Sequence, residues 1–201
     1  WGEKATSDDP DWKAGKGFAI IQQGSGLPGL DTANAKMHLL SDGSFMLYSG
    51  GTDLGTGLDT VSVKFAAETL CVDMERVGII AADTDITPFD VGAYASSGTY
   101  FSGGAAHNAA KAMKERILEV ASEMLNEPKE SLRLEYPGKV VGKSRTITFW
   151  DVAHYAETGT GCGALVAHGH FNSDKASIPY GAHFAEVAVN VRTGQVKVRK
   201  F

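Results

Sequence analysis

The chain has 201 residues, a formal net charge of −5 and an isoelectric point near 5.7, with 43% hydrophobic and 21% charged residues. That is the composition of a globular chain with room for one domain or two small ones, and it excludes a disordered segment. The acidic balance without a Lys/Arg block argues against a nucleic-acid partner, and no apolar run reaches the roughly 18 residues of a membrane helix. Two cysteines, Cys71 and Cys162, are too few for a disulfide framework and fit free thiols in a reducing cytoplasm. The unusual figure is 24 glycines, well above the usual ~7%. They cluster at 24–29, 50–57, 92–104 and 159–163, as loops with positive φ or close backbone approach would require.

Residues 1–14 read as a polar lead-in with the run Asp8-Asp-Pro-Asp11, and they are not expected to act as a signal peptide. Gly17–Gln22 is predicted to be a strand and Gly24–Thr32 a Gly/Pro loop. Asn34–Leu40 and Ser44–Ser49 alternate polar and apolar about Ser41-Asp42-Gly43, a strong hairpin signal. After the loop Gly50–Gly57, the apolar residues of Leu58–Cys71 run most of the way round a buried helix. Val77–Ala81 is a short strand and Ala82–Tyr94 a long loop.

The clearest helix spans 99–126, where Phe101, Ala105, Ala109, Met113, Ile117, Val120 and Met124 recur every three or four residues. Ser96 or Ser97 is placed to cap its start, and Asn126 with Pro128 to end it. Leu132–Glu135 and Lys139–Gly142 form a second hairpin about Pro137-Gly138. Thr148-Phe-Trp-Asp151 is a capping box opening a helix to about Ala156. Gly163–Phe171 and Ile178–Val191 are strands, the latter turning at Arg192-Thr193-Gly194 into Val196–Val198. The chain stops just past that hairpin, which suggests a piece of a longer polypeptide. Hairpins mixed with helices, with little βαβ alternation, predict an α+β fold in which antiparallel hairpins pack with two longer helices. The expected division is a first part over 1–126 and a smaller one over 127–201.

Two constellations could carry chemistry. Ser49-Gly-Gly-Thr-Asp-Leu-Gly-Thr-Gly57 and Gly92-Ala-Tyr-Ala-Ser-Ser-Gly-Thr99 each lead into a helix N-terminus, where converging N–H groups favour an anion. Neither is a P-loop or a dinucleotide fingerprint, and each taken alone is better read as a tight turn or a helix cap. Together they suit a ligand with several polar groups and a phosphate. His168 and His170 on one strand, with His183 on the next, match no metal-ligand spacing, so no metal ligand is assigned. Asp83 and Asp85 read as turn formers, and Glu186 as a buried, paired carboxylate.

The ordered set of motifs is more specific than any one of them. Gly51-Thr-Asp-Leu-Gly-Thr-Gly-Leu-Asp-Thr60, Phe65-Ala-Ala-Glu68, Asp83-Thr84 with Thr87-Pro88, and Ala95-Ser-Ser-Gly-Thr99 with Gly104-Ala-Ala106 resemble the molybdopterin-binding region of the molybdenum hydroxylases, the xanthine dehydrogenase and aldehyde oxidase family. The resemblance extends from Gly15-Lys-Gly-Phe-Ala19 and Asp42-Gly-Ser44 to Tyr180-Gly-Ala182, Glu186-Val187 and Thr193-Gly194. It implies a cytoplasmic oxidoreductase acting on N-heterocycles or aldehydes with a molybdopterin cofactor. Gly55, Thr56 and Gly57 correspond to the family's pterin-binding Gly-Gln-Gly, with Thr56 in place of Gln. Ala93, Tyr94, Ala95, Ser96, Ser97 and Gly98 correspond to the loop holding the pterin and its phosphate or nucleotide tail, Tyr94 being bulkier than usual there. The loop Gly26–Thr32, with Gly29 and Leu30, corresponds to a wall of the substrate pocket.

The family's catalytic Glu, in a Gly-Glu motif, would fall beyond Phe201, so the resemblance places no catalytic residue in this chain. The expected partners are the remainder of a large subunit and iron–sulfur and flavin subunits or domains. By itself the chain is expected to be inactive, to lack the cofactor, and to self-associate through exposed apolar surface. The other readings are a non-catalytic cofactor-carrying or assembly module, and an unrelated phosphate or nucleotide binder.

Overall fold

A computed structural model describes residues 6–158 and 162–201. The start of the lead-in (1–5), and Gly159 and Gly161 of the last glycine cluster, lie outside the described residues. The chain forms two compact units, Ser25–Ser177 and a second made of the terminal segments Trp1–Gly24 and Ile178–Phe201.

The larger unit is built on a four-stranded sheet in the order β4-β3-β2-β8, with β2 at Thr32–Leu39, β3 at Phe45–Ser49, β4 at Val77–Ala81 and β8 at Val166–Asn172. The β2–β3 hairpin is as expected, Ala35 facing Ser49 and Leu39 facing Phe45. Its period-2 pattern sends Ala33, Ala35, Met37 and Leu39 inward with Phe45 and Leu47, while the intervening side chains stay half exposed. Helices α1 (Leu58–Leu70) and α2 (Gly98–Leu125) pack along each other, and α2 also lies across β2 and β8. The small residues Ala105, Ala106 and Ala109 let α2 approach the sheet closely. At Gly169 of β8 a Cβ would stand 2.2 Å from the Ala109 nitrogen and 2.3 Å from the Ala105 carbonyl oxygen. Only glycine fits there.

One expectation is modified. Strands β3 and β4 pair in parallel, Phe45 beside Val77 and Ser49 beside Ala81, with α1 as the crossover, so the fold contains a βαβ unit. The 8-residue loop before α1 hid it, because it is longer than the usual βα connection.

A small sheet of β5 (Arg133–Glu135), β6 (Lys139–Val141) and β7 (Thr146–Thr148) follows α2 and leads into α3 (Phe149–Thr158). Thr148 and Asp151 form the expected capping box: the Thr148 N–H donates to Asp151 at 2.7 Å and the Asp151 N–H to Thr148 Oγ1 at 3.2 Å. Leu134, Val140, Ile147 and Val152 belong to the same hydrophobic core as Met37, Leu47, Leu70 and Met113. The division expected at 126/127 therefore falls inside the larger unit.

The second unit is a three-stranded antiparallel sheet in the order β1-β9-β10, with β1 at Trp12–Gln22, β9 at Tyr180–Asn190 and β10 at Val196–Lys200. The β9–β10 hairpin was expected, whereas the pairing of β1 with β9, from Trp12 with Asn190 to Gln22 with Tyr180, joins the two ends of the chain. Strand β1 also begins earlier than expected, inside the lead-in. Phe18, Ile20, Ile21, Tyr180, Val198 and Phe201 are exposed. No helix among the described residues is long and apolar enough to cross a membrane.

Candidate functional site

Three loops of the larger unit meet at the N-terminal ends of α1 and α2. The first, Gly50–Gly57, leaves β3 and turns into α1. Gly50 runs so close to the 88–90 segment that a Cβ would stand 2.3 Å from the Pro88 carbonyl oxygen. A Cβ on Gly51 would stand 2.9 Å from that of Ser102 in α2, and one on Gly98 3.4 Å from Leu58 Cδ2 in α1. The two helix starts are therefore neighbours, and the two glycine-containing motifs of the sequence lie side by side. Gly55 and Gly57 adopt φ of 91° and 82° with open space beside them.

The anion at the start of α1 is the chain's own. Asp53 Oδ1 accepts the N–H groups of Gly55 at 2.8 Å and Gly57 at 3.1 Å, and Oδ2 accepts that of Asp59 at 3.3 Å. Desolvation pushes the Asp53 pKa up, but the N–H groups of Gly57, Asp59, Gly55 and Thr56 outweigh it and hold it below the ordinary carboxylate value. Asp59 is pushed the other way, by desolvation and then by the Asp53 charge.

The second loop, Asp90–Ser97, is organised by Asp90. Its Oδ1 accepts the Gly92 N–H at 2.9 Å and its Oδ2 the Ser102 hydroxyl at 2.7 Å, tying the loop to the first turns of α2. Ala95 and Ser96 sit at φ 48° and 58°, left-handed conformations that residues with a Cβ adopt at a cost of about 1–2 kcal/mol each. Ser97 occupies the N-cap position, but its buried hydroxyl donates to the Gly92 carbonyl at 3.3 Å instead of capping the helix. A cleft of ≈ 340 Å³ adjoins both loops, bordered by Gly50, Thr52, Thr84, Thr87, Phe89 and Asp90.

The third loop, Gly26–Thr32, is bonded to the second. The Gly26 N–H donates to the Ala95 carbonyl at 2.7 Å, and the Tyr94 hydroxyl to Asp31 Oδ1 at 2.5 Å. The hydrogen bond to Asp31, followed by desolvation and the charges of Asp31 and Asp90, raises the Tyr94 pKa. Gly29 and Leu30 lie at the exposed tip of this loop.

Sequence reading did not single out Asp31, Asp53 or Asp90. For Asp53 and Asp90 the signal was local: a carboxylate two residues before a glycine N–H that it accepts. For Asp31 no signal pointed to Tyr94, a partner 63 residues away, although its other oxygen accepts the nearby Leu27 N–H.

The remaining candidates have structural roles. Asp83 forms a turn, accepting the Asp85 N–H at 3.0 Å. His168 and His170 share a face of β8, and His170 Nδ1 donates to Asn34 Oδ1 at 3.0 Å. His183 lies in the other unit. Among the described residues no group of three or more His, Cys, Asp or Glu is placed to hold a metal ion. Glu186 is 8% exposed and pairs with Lys16 at 3.8 Å and Arg199 at 3.6 Å, as a buried carboxylate requires.

Small residues on paired helix-start loops, with carboxylates turned inward to hold them, leave backbone open beside Gly55 and Gly57. The chain belongs to the molybdopterin cofactor-binding domain family, whose model matches residues 2–201. It is 52% identical over 191 residues to the probable hypoxanthine oxidase XdhD of Escherichia coli strain K12, covering 95% of this chain and 20% of that protein. It is 30% identical over 181 residues to the putative xanthine dehydrogenase molybdenum-binding subunit XdhA of the same strain, covering 86% and 24%. Among solved structures it is similar to the CO dehydrogenase of Oligotropha carboxidovorans (TM-score 0.86, 22% identity, 95% of this chain and 26% of that one). It is also similar to the quinoline 2-oxidoreductase of Pseudomonas putida 86 (TM-score 0.81, 23% identity, 94% and 26%). At those identities the structures bear on the fold, and they agree with the α+β architecture. The chain spans about a fifth to a quarter of the length of the curated relatives it matches.

Proposed function

We propose that this chain forms part of the cofactor cradle of a larger molybdopterin-dependent oxidoreductase, a hydroxylase of N-heterocycles. The observation that carries the reading is the convergence of Gly55-Thr56-Gly57 with Ala93–Gly98 at two adjacent helix starts. The residues suit a flat, polar ligand. Gly55 and Gly57 have nothing beside them, and Ala93, Ala95 and Ser96 are small and project little over the backbone. Gly55, Thr56, Gly57, Ala93, Tyr94, Ala95, Ser96, Ser97 and Gly98 would hold the pterin, with Gly29 and Leu30 as a wall on the substrate side. When bound, the molybdenum cofactor supplies the two-electron redox chemistry of hydroxylation. These residues bind and orient it, and the base that moves the proton is assigned to another segment of the polypeptide.

The 52% identical relative, named a probable hypoxanthine oxidase, favours a purine-like substrate over an aldehyde. The phosphate-binder reading is less well supported, because Asp53 already takes the N–H groups of the Gly55–Gly57 loop that a phosphate would need. The exposed apolar side chains of the β1-β9-β10 sheet suit contact with the rest of a large subunit, with iron–sulfur and flavin partners receiving the electrons. The isolated chain is then inactive and does not retain the cofactor.

The test is metal and pterin content. The full polypeptide carrying this chain should hold stoichiometric molybdenum and oxidise purines, whereas Gly55→Leu and Ala95→Leu variants should lose molybdenum and pterin fluorescence while remaining folded. Full cofactor content in both variants, or stoichiometric molybdenum with turnover in the isolated chain, would overturn the reading.

A further inference from the structure

Asp31 is a carboxylate with 1% of its surface exposed, inside a loop of otherwise small or apolar residues. A charge so buried must be hydrogen-bonded to be tolerated. One oxygen closes its own turn, Oδ2 accepting the Leu27 N–H at 2.8 Å, and the Leu30 and Asp31 N–H groups complete that turn on the Leu27 carbonyl at 3.0 Å each. The other oxygen reaches out of the loop to Tyr94. The backbone bond from Gly26 to Ala95 lies at the same crossing. Gly26 has no room to shift there, since a Cβ would stand 2.3 Å from the Phe101 ring and 3.2 Å from Asp31 Oδ2. Next to the crossing on the other side, Ala95 and Ser96 are held in left-handed conformations, which persist only where surrounding contacts over-determine them.

We propose that Asp31 and Tyr94 are a positioning pair that locks the loop Gly26–Thr32 onto the loop Ala93–Gly98, so that the substrate wall is registered against the cofactor cradle by their side-chain hydrogen bond beside the Gly26–Ala95 backbone bond. The inference rests on the reading of these loops given above. Neither side chain touches reacting atoms. Asp31 ends the turn that carries Gly29 and Leu30, so fixing Asp31 fixes where that wall stands. Tyr94, bulky for its position in the family resemblance, is the residue long enough to reach it.

The test uses the full polypeptide with Tyr94→Phe, which keeps the ring and removes one hydroxyl, and with Asp31→Asn, which keeps the shape and removes the charge. Hydrogen exchange across residues 24–32 should quicken about tenfold in both variants, the scale of one lost charge-assisted hydrogen bond. Exchange across residues 51–59, held by Asp53, should not change. In Asp31→Asn, whose side chain is not among those assigned to the cofactor, KM for a purine substrate should rise several-fold and kcat change less than about twofold, because a displaced wall loosens substrate. Unchanged exchange over 24–32 in Tyr94→Phe overturns the lock. Faster exchange with unchanged KM and cofactor content supports the lock and overturns the assignment of the two loops to substrate and cofactor.

Discussion

The Asp53 carboxylate rests on the Gly57 amide, 3.1 Å from its nitrogen, at the first turn of α1. Gly57 is the N-cap residue and has no side chain to cap with, so the acid four residues earlier does that work from outside the helix. A loop that resembles an empty anion site in sequence is thus filled by its own chain.

Replacing Asp53 by Asn should weaken the loop and the start of α1, seen as faster hydrogen exchange over 55–61 and a lower melting temperature at pH 7. The folded-state pKa is depressed, so the carboxylate's contribution is full above the unfolded value near 3.8 and is lost as the pH falls through the folded one. The difference between wild type and Asp53→Asn should therefore shrink below about pH 4. A difference that stays constant from pH 7 to pH 2.5 would contradict this role.

Gly169→Ala places a methyl group against backbone atoms of α2 at 2.2 and 2.3 Å, where nothing flexible can yield. Overpacking against a rigid neighbour costs about 1–3 kcal/mol or more. The variant should unfold at lower urea, whereas Gly15→Ala, in β1 with nothing within 4 Å, should cost less than about 1 kcal/mol. A cost for Gly169→Ala as small as that for Gly15→Ala would show that α2 does not pack on β8 as described.

The contrast between these two glycines shows what the sequence could and could not reveal. Helix α2 was legible because Phe101, Ala105, Ala109, Met113 and Ile117 repeat a local period. The β2–β3 hairpin was legible because Asp42-Gly43 sits between two alternating runs. The edge pairing of β8 on β2, the parallel pairing of β3 with β4 and the junction of β1 with β9 depend on partners from 32 to 178 residues apart, which no local pattern encodes. The site divides the same way. Gly55 and Ala95 were proposed from motif order, while Asp31 and Asp90 emerged only once the fold had brought Tyr94 and Ser102 to them.

Thr148→Ala removes one half of the capping box of α3 and should cost about 1 kcal/mol. The Asp151 pKa is pulled down chiefly by the Thr148 hydroxyl and then by its N–H. Its stabilising effect is accordingly present above the unfolded value near 3.8 and lost on acidification. The melting temperature of Thr148→Ala should lie below that of wild type at pH 7 and approach it near pH 3. Equal stability at pH 7 would exclude the cap as a contributor.

Glu186 gives an ordering of costs within the β1-β9-β10 sheet. Its carboxylate lies on the central strand, with Lys16 on β1 and Arg199 on β10. The Glu186 and Lys16 side chains are 10% and 18% exposed, the Arg199 side chain 43%. Removing a partner from a largely buried pair strands the remaining charge, whereas an exposed pair is worth about 0–1 kcal/mol. Glu186→Ala should therefore destabilise most, by about 2–3 kcal/mol, Lys16→Ala less, and Arg199→Ala least. High salt should erase the Arg199 effect and leave most of the Glu186 effect, since screening acts on exposed charges. Urea unfolding of the three variants at low and high salt measures this. An Arg199→Ala cost equal to that of Glu186→Ala would mean that the outer strand, not the buried carboxylate, holds the sheet together.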